Sequence, residues 1–403
     1  VEQYNNKTII LNINKWKISL FVFFALSGMA FSSWTSRTPE VRDILHASTS
    51  IMGWIIFGIA AGAIVGLVSA SSVIRHIGAR KAIALSVIIL SLGLLIAGFS
   101  ILLAIKLLVF SGLVVFGLGY GIIDVAQNVE GAALERSTNK TLLPALHASF
   151  SGGTLLGVGL GSLAISVKIP VFIHFIIIAF VIILFGVICI KYLPTATGKV
   201  DLITNHHSVS SPQTKVSIFK ELRLVYIGII VMGMALAEGT ANDWLPILFV
   251  DAYQVTHVTG TIVYGVFLLA MLIGRMSGGF LLDRFGRVPI LVSAAIIAVS
   301  GLAVVILDIN FYFAAAGVFL WGIGASLGFP VGLSAAGDNP NGATERVAFV
   351  STLGYLAFLV GPPFIGLLGE SVGLLYALLV VIIAVLIAGL FSPAAKKIET
   401  KSS

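Results

Sequence analysis

The chain has 403 residues, 58% of them apolar and only 10% charged, and its mean hydropathy is +1.08. A water-soluble protein draws about a quarter of its residues from Lys, Arg, Glu and Asp, so this composition excludes a soluble globular domain and requires a bilayer as solvent. The net charge of +7 sits at the ends of apolar runs and in one polar stretch, which does not suit nucleic acid, and the single cysteine, Cys189, excludes an internal disulfide.

Apolar runs separated by polar breaks predict twelve spans, at roughly 17–36, 51–73, 82–102, 106–129, 142–166, 169–192, 223–246, 257–281, 288–307, 310–334, 344–367 and 371–392. Each is near the ~20 residues that cross ~30 Å of hydrocarbon. The first run, Ile18 to Trp34, follows Lys15 and Lys17. It is longer than the about 7–15 residues of a signal-peptide core and lacks a clean small-residue cleavage site, so it reads as a retained helix. Ser27, Phe31, Trp34 and Arg37 or Thr38 form one stripe at helical spacing. Arg37 has three readings: a partner for Asp124 or Glu238, a contact for an anionic substrate group, or an outer-leaflet arginine snorkelling to water.

Between spans 2 and 3 runs Ser71-Ser72-Val73-Ile74-Arg75-His76-Ile77-Gly78-Ala79-Arg80-Lys81. Span 4 carries Asp124 well inside its apolar run, and Tyr120, Asp124, Gln127 and Asn128 share one face by i, i+3 and i+4 spacing. A carboxylate inside a span is costly unless neutral or paired, and such groups are functional candidates by default. Proton loading and release at Asp124 is one reading, and a structural contact to a neighbouring helix is the other. His147 opens span 5 after Pro144, and His174 lies in span 6; a packing role is the plainer reading of both. Gly153, Gly157, Gly159 and Gly161 suit close helix packing.

The stretch 193–222 is rich in Thr, Ser, His and Lys and reads as a solvated linker at mid-chain. His206-His207 within it lacks nearby Cys or carboxylate ligands, so no metal is expected there. Span 7 holds Glu238 and Asn242, four apart, with Asp243 and Trp244 beside them. Glu238 is a second candidate for the proton or for a substrate hydrogen bond, whereas Asp243 sits near the expected outer interface. Trp34 and Trp244, at matching ends of spans 1 and 7, are expected to face a central cavity, where an indole suits the C–H face of a sugar; the alternative is an interfacial anchor. Arg275, near the end of span 8, lies close in sequence to Asp283 and is expected to belong to the cytoplasmic gate. The turn Gly278-Gly279-Phe280-Leu281-Leu282-Asp283-Arg284-Phe285-Gly286-Arg287 separates spans 8 and 9. Gly361-Pro362-Pro363 in span 11 is expected to kink or hinge it.

With both termini in the cytoplasm, inner segments hold 19 of the 24 Lys and Arg residues, while outer loops hold Arg37, Arg42, Lys106 and Lys168. That asymmetry is the positive-inside pattern. The chain also repeats itself. Trp34 and Trp244 are 210 residues apart, Gly78 and Gly286 are 208 apart, Gly117-Leu118-Gly119 and Gly322-Ile323-Gly324 are 205 apart, and Gly153 and Gly354 are 201 apart. Slowly drifting offsets fit two copies with small deletions, and such repeats mark alternating-access transporters.

These motifs resemble the major facilitator superfamily. Gly-Gly-x-Leu-x-Asp-Arg-x-Gly-Arg between spans 8 and 9 is similar to that family's signature loop and is complete. In the first copy Arg75 stands where the Asp is expected, His76 at the Arg and Ala79 at the second Arg. The run Gly117 to Asn128, and Ser326-Leu327-Gly328-Phe329-Pro330 in span 10, resemble the fucose permease branch, with Asp124 in place of its protonatable Glu. That branch's span 1 carboxylate has no evident match, and the surroundings of Arg37, Asp124, His147 and Glu238 resemble an uncharacterised bacterial branch beside it. The glycines of span 5 resemble part of the antiporter motif of drug exporters without its Pro.

The resulting expectation is an all-α membrane protein with twelve transmembrane helices in two pseudo-symmetric six-helix bundles, 1–192 and 223–403, joined by the linker 193–222. No nucleotide-binding loop, nucleophile–base pair or metal cluster is evident, so neither an enzyme nor a cofactor is expected. The reading is a secondary transporter in the cytoplasmic membrane, working as a monomer on a small molecule and protons. Proton-coupled sugar uptake leads, and proton-driven drug efflux and a non-transporting receptor are the rivals. Asp124 and Glu238 are the proton candidates; Trp34, Arg37, Tyr120, Gln127, Asn128, Asn242 and Trp244 the substrate candidates; Arg75, Arg80, Arg275, Asp283, Arg284 and Arg287 the gating candidates.

Overall fold

In the computed structural model the described residues are 2–138, 140, 142–195, 197–198, 221–307, 309–338 and 342–397, with the side chains of 2–12 and 344 left aside. His206-His207 and most of the expected linker lie outside them. Every regular element among the described residues is helical, and twelve helices are long and apolar enough to cross a membrane. They cluster into two compact units, Val1–Ala47 with Trp54–Ser208, and Ser48–Gly53 with Val209–Ser403.

The first unit contains α1 (Glu2–Thr35), α2 (Thr38–Leu45), α3 (Thr49–Ile77) from Trp54 onward, α4 (Ala79–Leu102), α5 (Lys106–Thr138), α6 (Leu143–Ser166) and α7 (Val171–Ile190). The second contains α8 (Leu222–Ala252), α9 (His257–Phe285), α10 (Arg287–Ile306), α11 (Phe311–Ala325), α12 (Gly328–Ala336), α13 (Ala343–Val372) and α14 (Leu374–Phe391). The short α2 was not expected. It begins with Pro39 in its first turn and buries Thr38, Pro39, Val41 and Leu45. Span 10 is divided into α11 and α12 at Ser326-Leu327, where the Ser326 hydroxyl donates to Ile323 O at 2.6 Å. Span 11 is not divided, since α13 runs through Pro362 and Pro363.

The duplicated turns are built alike. Gly78 alone separates α3 from α4, and Gly286 alone separates α9 from α10. Their backbones match, with φ 83° and ψ 157° at Gly78 and φ 77° and ψ 170° at Gly286. This region is open essentially to glycine alone. The paired glycines of spans 4 and 10 also act alike. A methyl at Gly117 would strike Ile59 O of α3, and one at Gly119 would meet Leu90 of α4; likewise, one at Gly322 would meet Phe267 O of α9, and one at Gly324 would strike Ala298 of α10. In lipid, where apolar burial does not drive helices together, such backbone proximity supplies the packing energy.

Gly286→Ala is expected to cost about 1–3 kcal/mol through its forced left-handed backbone, read as earlier denaturant unfolding of the purified protein. Gly279→Ala, in an open helical position with nothing within 4 Å of the added carbon, is the control and should not destabilise; equal losses would refute the conformational account.

Candidate functional site

The polar face of α5 is supported from α1 and α6. The Gln127 amide donates to Ser27 Oγ at 2.6 Å, and the Tyr120 ring lies 5.6 Å from that of Phe31. Asn128 Nδ2 donates to Asp124 O at 2.8 Å, which turns its Oδ1 toward His147 Nε2 at 3.2 Å. With the amide hydrogens committed to a carbonyl, the His147 nitrogen is the donor in that contact, so Nε2 carries a proton. Asp124 sits one turn before this pair, half-buried, and its carboxylate has no ion-pair or hydrogen-bond partner among the described residues. His147, plainly a packing residue by sequence, is therefore part of the polar group around Asp124. Its link to Asn128 crosses 19 residues and has no local sequence signal.

In the second unit Glu238 Oε1 accepts from Arg275 Nη2 at 2.8 Å, joining α8 to α9 within their membrane spans. This corrects the expectation for Arg275, whose guanidinium is engaged with Glu238 rather than with the loop at Asp283. One turn along α8, Asn242 Oδ1 accepts from the buried Tyr264 hydroxyl at 3.1 Å. Asp243 is half-buried in α8 and, among the described residues, has no polar partner.

Three expectations for the substrate face fail. Trp34 and Trp244 are each 1% exposed, so neither indole faces open space in this structure. Trp34 packs against the Phe175 ring of α7 at 6.2 Å, and Trp244 reaches the backbone of α13 at Gly366. Arg37 is fully buried at the junction of α1 and α2, donating to Ile169 O at 2.7 Å and pairing with Glu40 at 2.7 Å. Burial pulls its guanidinium below the ordinary arginine pKa, and the Glu40 carboxylate opposes that shift. Trp34 and Trp244 thus match in burial as well as in position.

The signature loops also differ. Arg287 Nη1 reaches both oxygens of Asp338, at 2.7 and 2.8 Å, and its Nη2 reaches Ser334 Oγ at 2.9 Å. Arg223 adds a contact to Asp338 at 3.0 Å and one to Ala394 O at 2.9 Å. Asp338 was not anticipated, because in sequence it reads as an ordinary turn residue. Asp283 and Arg284 are exposed. In the first copy Arg75 is exposed, while the Ala79 amide donates to Thr197 O at 2.9 Å, so a backbone bond stands where the second loop has an arginine. Arg80 instead faces the buried carboxyl of Glu130, beside Trp16 and Thr197.

Twelve helices long and apolar enough to cross a membrane, with ionisable side chains set within them, make this a multi-pass membrane protein. Residues 19–346 match the family model of the Major Facilitator Superfamily, and the chain belongs to that superfamily. It is 28% identical over 384 residues to an uncharacterised transporter, y4wD, of Sinorhizobium fredii, covering 90% of this chain and 96% of that protein. It is 27% identical over 365 residues to the membrane protein MosC of Rhizobium meliloti, covering 90% and 85%. Similar solved folds include the nucleoside transporter NupG, with TM-score 0.72 and 13% identity over 94% of this chain and 98% of that one. The E. coli fucose:proton symporter FucP matches with TM-score 0.59 and 17% identity over 94% and 100%. The E. coli xylose transporter XylE matches with TM-score 0.69 and 12% identity over 93% and 98%.

Asp338→Ala, which strands two arginines beside a buried position, should destabilise the protein by on the order of 3 kcal/mol in denaturant unfolding. Asp283→Ala, at an exposed site, should stay within about 0.5 kcal/mol of the parent. Equal effects would contradict the assignment of Asp338 as the anchor of this end of the unit.

Proposed function

We propose that this protein is a secondary active transporter that takes up a sugar or similar polar small molecule together with protons, by alternating access in the cytoplasmic membrane. One observation carries the reading: Asp124 lies inside a membrane span, half-buried and without a charge partner among the described residues. An unpaired charged carboxylate there is costly, so binding and releasing a proton is the chemistry this position suits. Tyr120, Gln127 and Asn128 supply hydroxyl and amide groups of the kind that pair with a hydroxyl-rich substrate, and sugar transporters among the similar folds agree with that class.

The efflux reading drew on the glycines of span 5, and packing accounts for Gly153, Gly157 and Gly161, while Gly159 has nothing within 4 Å of an added methyl. A methyl at Gly153 would strike Ala25 O, and one at Gly157 would meet Ser32 and Met29, so these glycines let α6 lie against α1. In the proposed cycle Arg75, Arg80, Asp283, Arg284 and Arg287 belong to the cytoplasmic gate, and the working unit is a monomer. Buried Trp34, Trp244 and Arg37 are left out of the proposed substrate set, Asn242 stays in it, and Glu238 remains the second candidate for the proton or for a substrate hydrogen bond.

Asp124→Asn in proteoliposomes should abolish proton-driven accumulation while sparing counterflow. A variant that still concentrates substrate with the parental pH dependence would end the assignment. For orientation, a green fluorescent protein fused after Ser403 should fluoresce and an alkaline phosphatase fused there should be inactive; the reverse pair of results would place that terminus outside.

A further inference from the structure

The ion pairs of the second unit differ in how fully they are closed. Arg346 grips Glu221 through a two-pronged contact, Nε at 2.9 Å and Nη2 at 2.6 Å, on both carboxylate oxygens. Arg287 engages both oxygens of Asp338 and a serine besides. Arg275 and Glu238 share one contact only, Nη2 to Oε1 at 2.8 Å. Among the described residues Nε and Nη1 of Arg275 and Oε2 of Glu238 make no other hydrogen bond. Exposure alone does not set the pair apart, since the Glu221 side chain is as exposed as that of Arg275, at 38%; what differs is the number of hydrogen bonds made and the exposure of the guanidinium, 38% at Arg275 against 9% at Arg346.

Both residues lie within membrane spans. A guanidinium with more than a third of its surface uncovered is costly against acyl chains, so such a residue faces the protein interior or a water-filled space. What it presents there is a row of spare donors beside a spare acceptor. A neutral vicinal diol matches that row: one hydroxyl donates to Glu238 Oε2 while its oxygen, and that of its neighbour, accept from Arg275. Charge favours the same class of ligand. The pair is neutral as it stands, and a neutral ligand leaves it so. An anionic ligand on Arg275, or a cationic one on Glu238, would compete with the pair and leave one partner uncompensated within the span.

We infer that Arg275 and Glu238 together form a recognition subsite for a vicinal diol of a neutral polyhydroxylated substrate. The subsite rests on the transporter reading for its role in transport, but its binding chemistry can be tested separately. Purified protein is titrated with glucose, xylose, fucose and uridine, and glucose and uridine are compared with 2-deoxyglucose and 2′-deoxyuridine. Gluconate and glucosamine serve as charged counterparts. The readouts are the shift in unfolding temperature and the dissociation constant.

At least one neutral diol should bind, and its deoxy or charged analogue should bind at least about ten-fold more weakly, as for a lost hydrogen bond to a charged group. Glu238→Gln and Arg275→Gln should each weaken the diol by about ten-fold or more, and both should narrow the gap between diol and deoxy analogue. The double variant, which removes both charges at once, guards against misfolding of either single one. If these variants lower the unfolding temperature but keep the parental preference, the pair merely ties α8 to α9 and the subsite is wrong. A charged analogue that outbinds its neutral match also overturns it. If no neutral diol binds while another compound shows Asp124-dependent proton-linked flux, the transporter reading stands and the subsite falls. If a diol binds through this pair but never crosses the vesicle membrane, the subsite stands and the transporter reading falls.

Discussion

Inside a bilayer a polar side chain finds no partner except the protein itself or enclosed water, and the arrangement of this chain follows from that constraint. Most of its membrane hydroxyls answer it locally. Ser27, Ser33 and Ser86 each donate to the carbonyl four residues earlier, at 3.0, 2.7 and 2.9 Å. Charged groups cannot be satisfied so cheaply and are either closed into pairs or placed where a pair stays accessible. Arg346 with Glu221 and Arg287 with Asp338 are doubly bonded pairs at span ends, Glu221 and Asp338 lying just outside the spans, whereas Arg275 with Glu238 lies within them and keeps unused groups. Asp124 and Asp243 fit neither arrangement, and the energetic cost of an unpaired carboxylate within a span is what points to proton chemistry.

The same solvent explains the glycines. Lipid provides no apolar driving force between helices, so cohesion comes from backbones in close contact. Gly117 and Gly119 fit one helix against two neighbours, and Gly322 and Gly324 repeat the device in the second unit. This repetition survives because packing tolerates little change in shape. The polar fittings have diverged further. A guanidinium at Arg287 ties the second loop to Asp338, whereas the first loop has Ala79 with a backbone bond to Thr197. The two units therefore share a scaffold and differ in how the ends of their second and third spans are held.

The number and type of the spans were legible in the sequence, because hydrophobic run length maps onto bilayer thickness, although helices run past the apolar bounds, as Lys106–Thr138 does beyond the expected 106–129. The single-residue turns at Gly78 and Gly286 were marked by their repeat, although the helices run closer to those glycines than the apolar boundaries indicated. Asp124 stood out because its position in the middle of an apolar run is itself a physical statement. The partners of these residues were not legible. Arg275 is near Asp283 in sequence, but the helix carries its side chain to Glu238, 37 positions away. Asp338 looked like a turn residue until Arg223 and Arg287 were seen to converge on it. Trp34 and Trp244 carried the repeat faithfully and are both buried in this structure, because periodicity identifies a face of a helix and not the neighbour that covers it.

The sequence by itself thus determined the solvent, the twelve crossings, the duplication and the superfamily, all of which depend on local composition and spacing. Tertiary structure decided which ionisable groups are spent on holding helices together and which are left with unused hydrogen-bonding capacity. That division depends on contacts between residues tens to hundreds of positions apart, such as Asn128 with His147 and Arg223 with Asp338. No local pattern encodes such contacts, because each is set by the packing of whole helices.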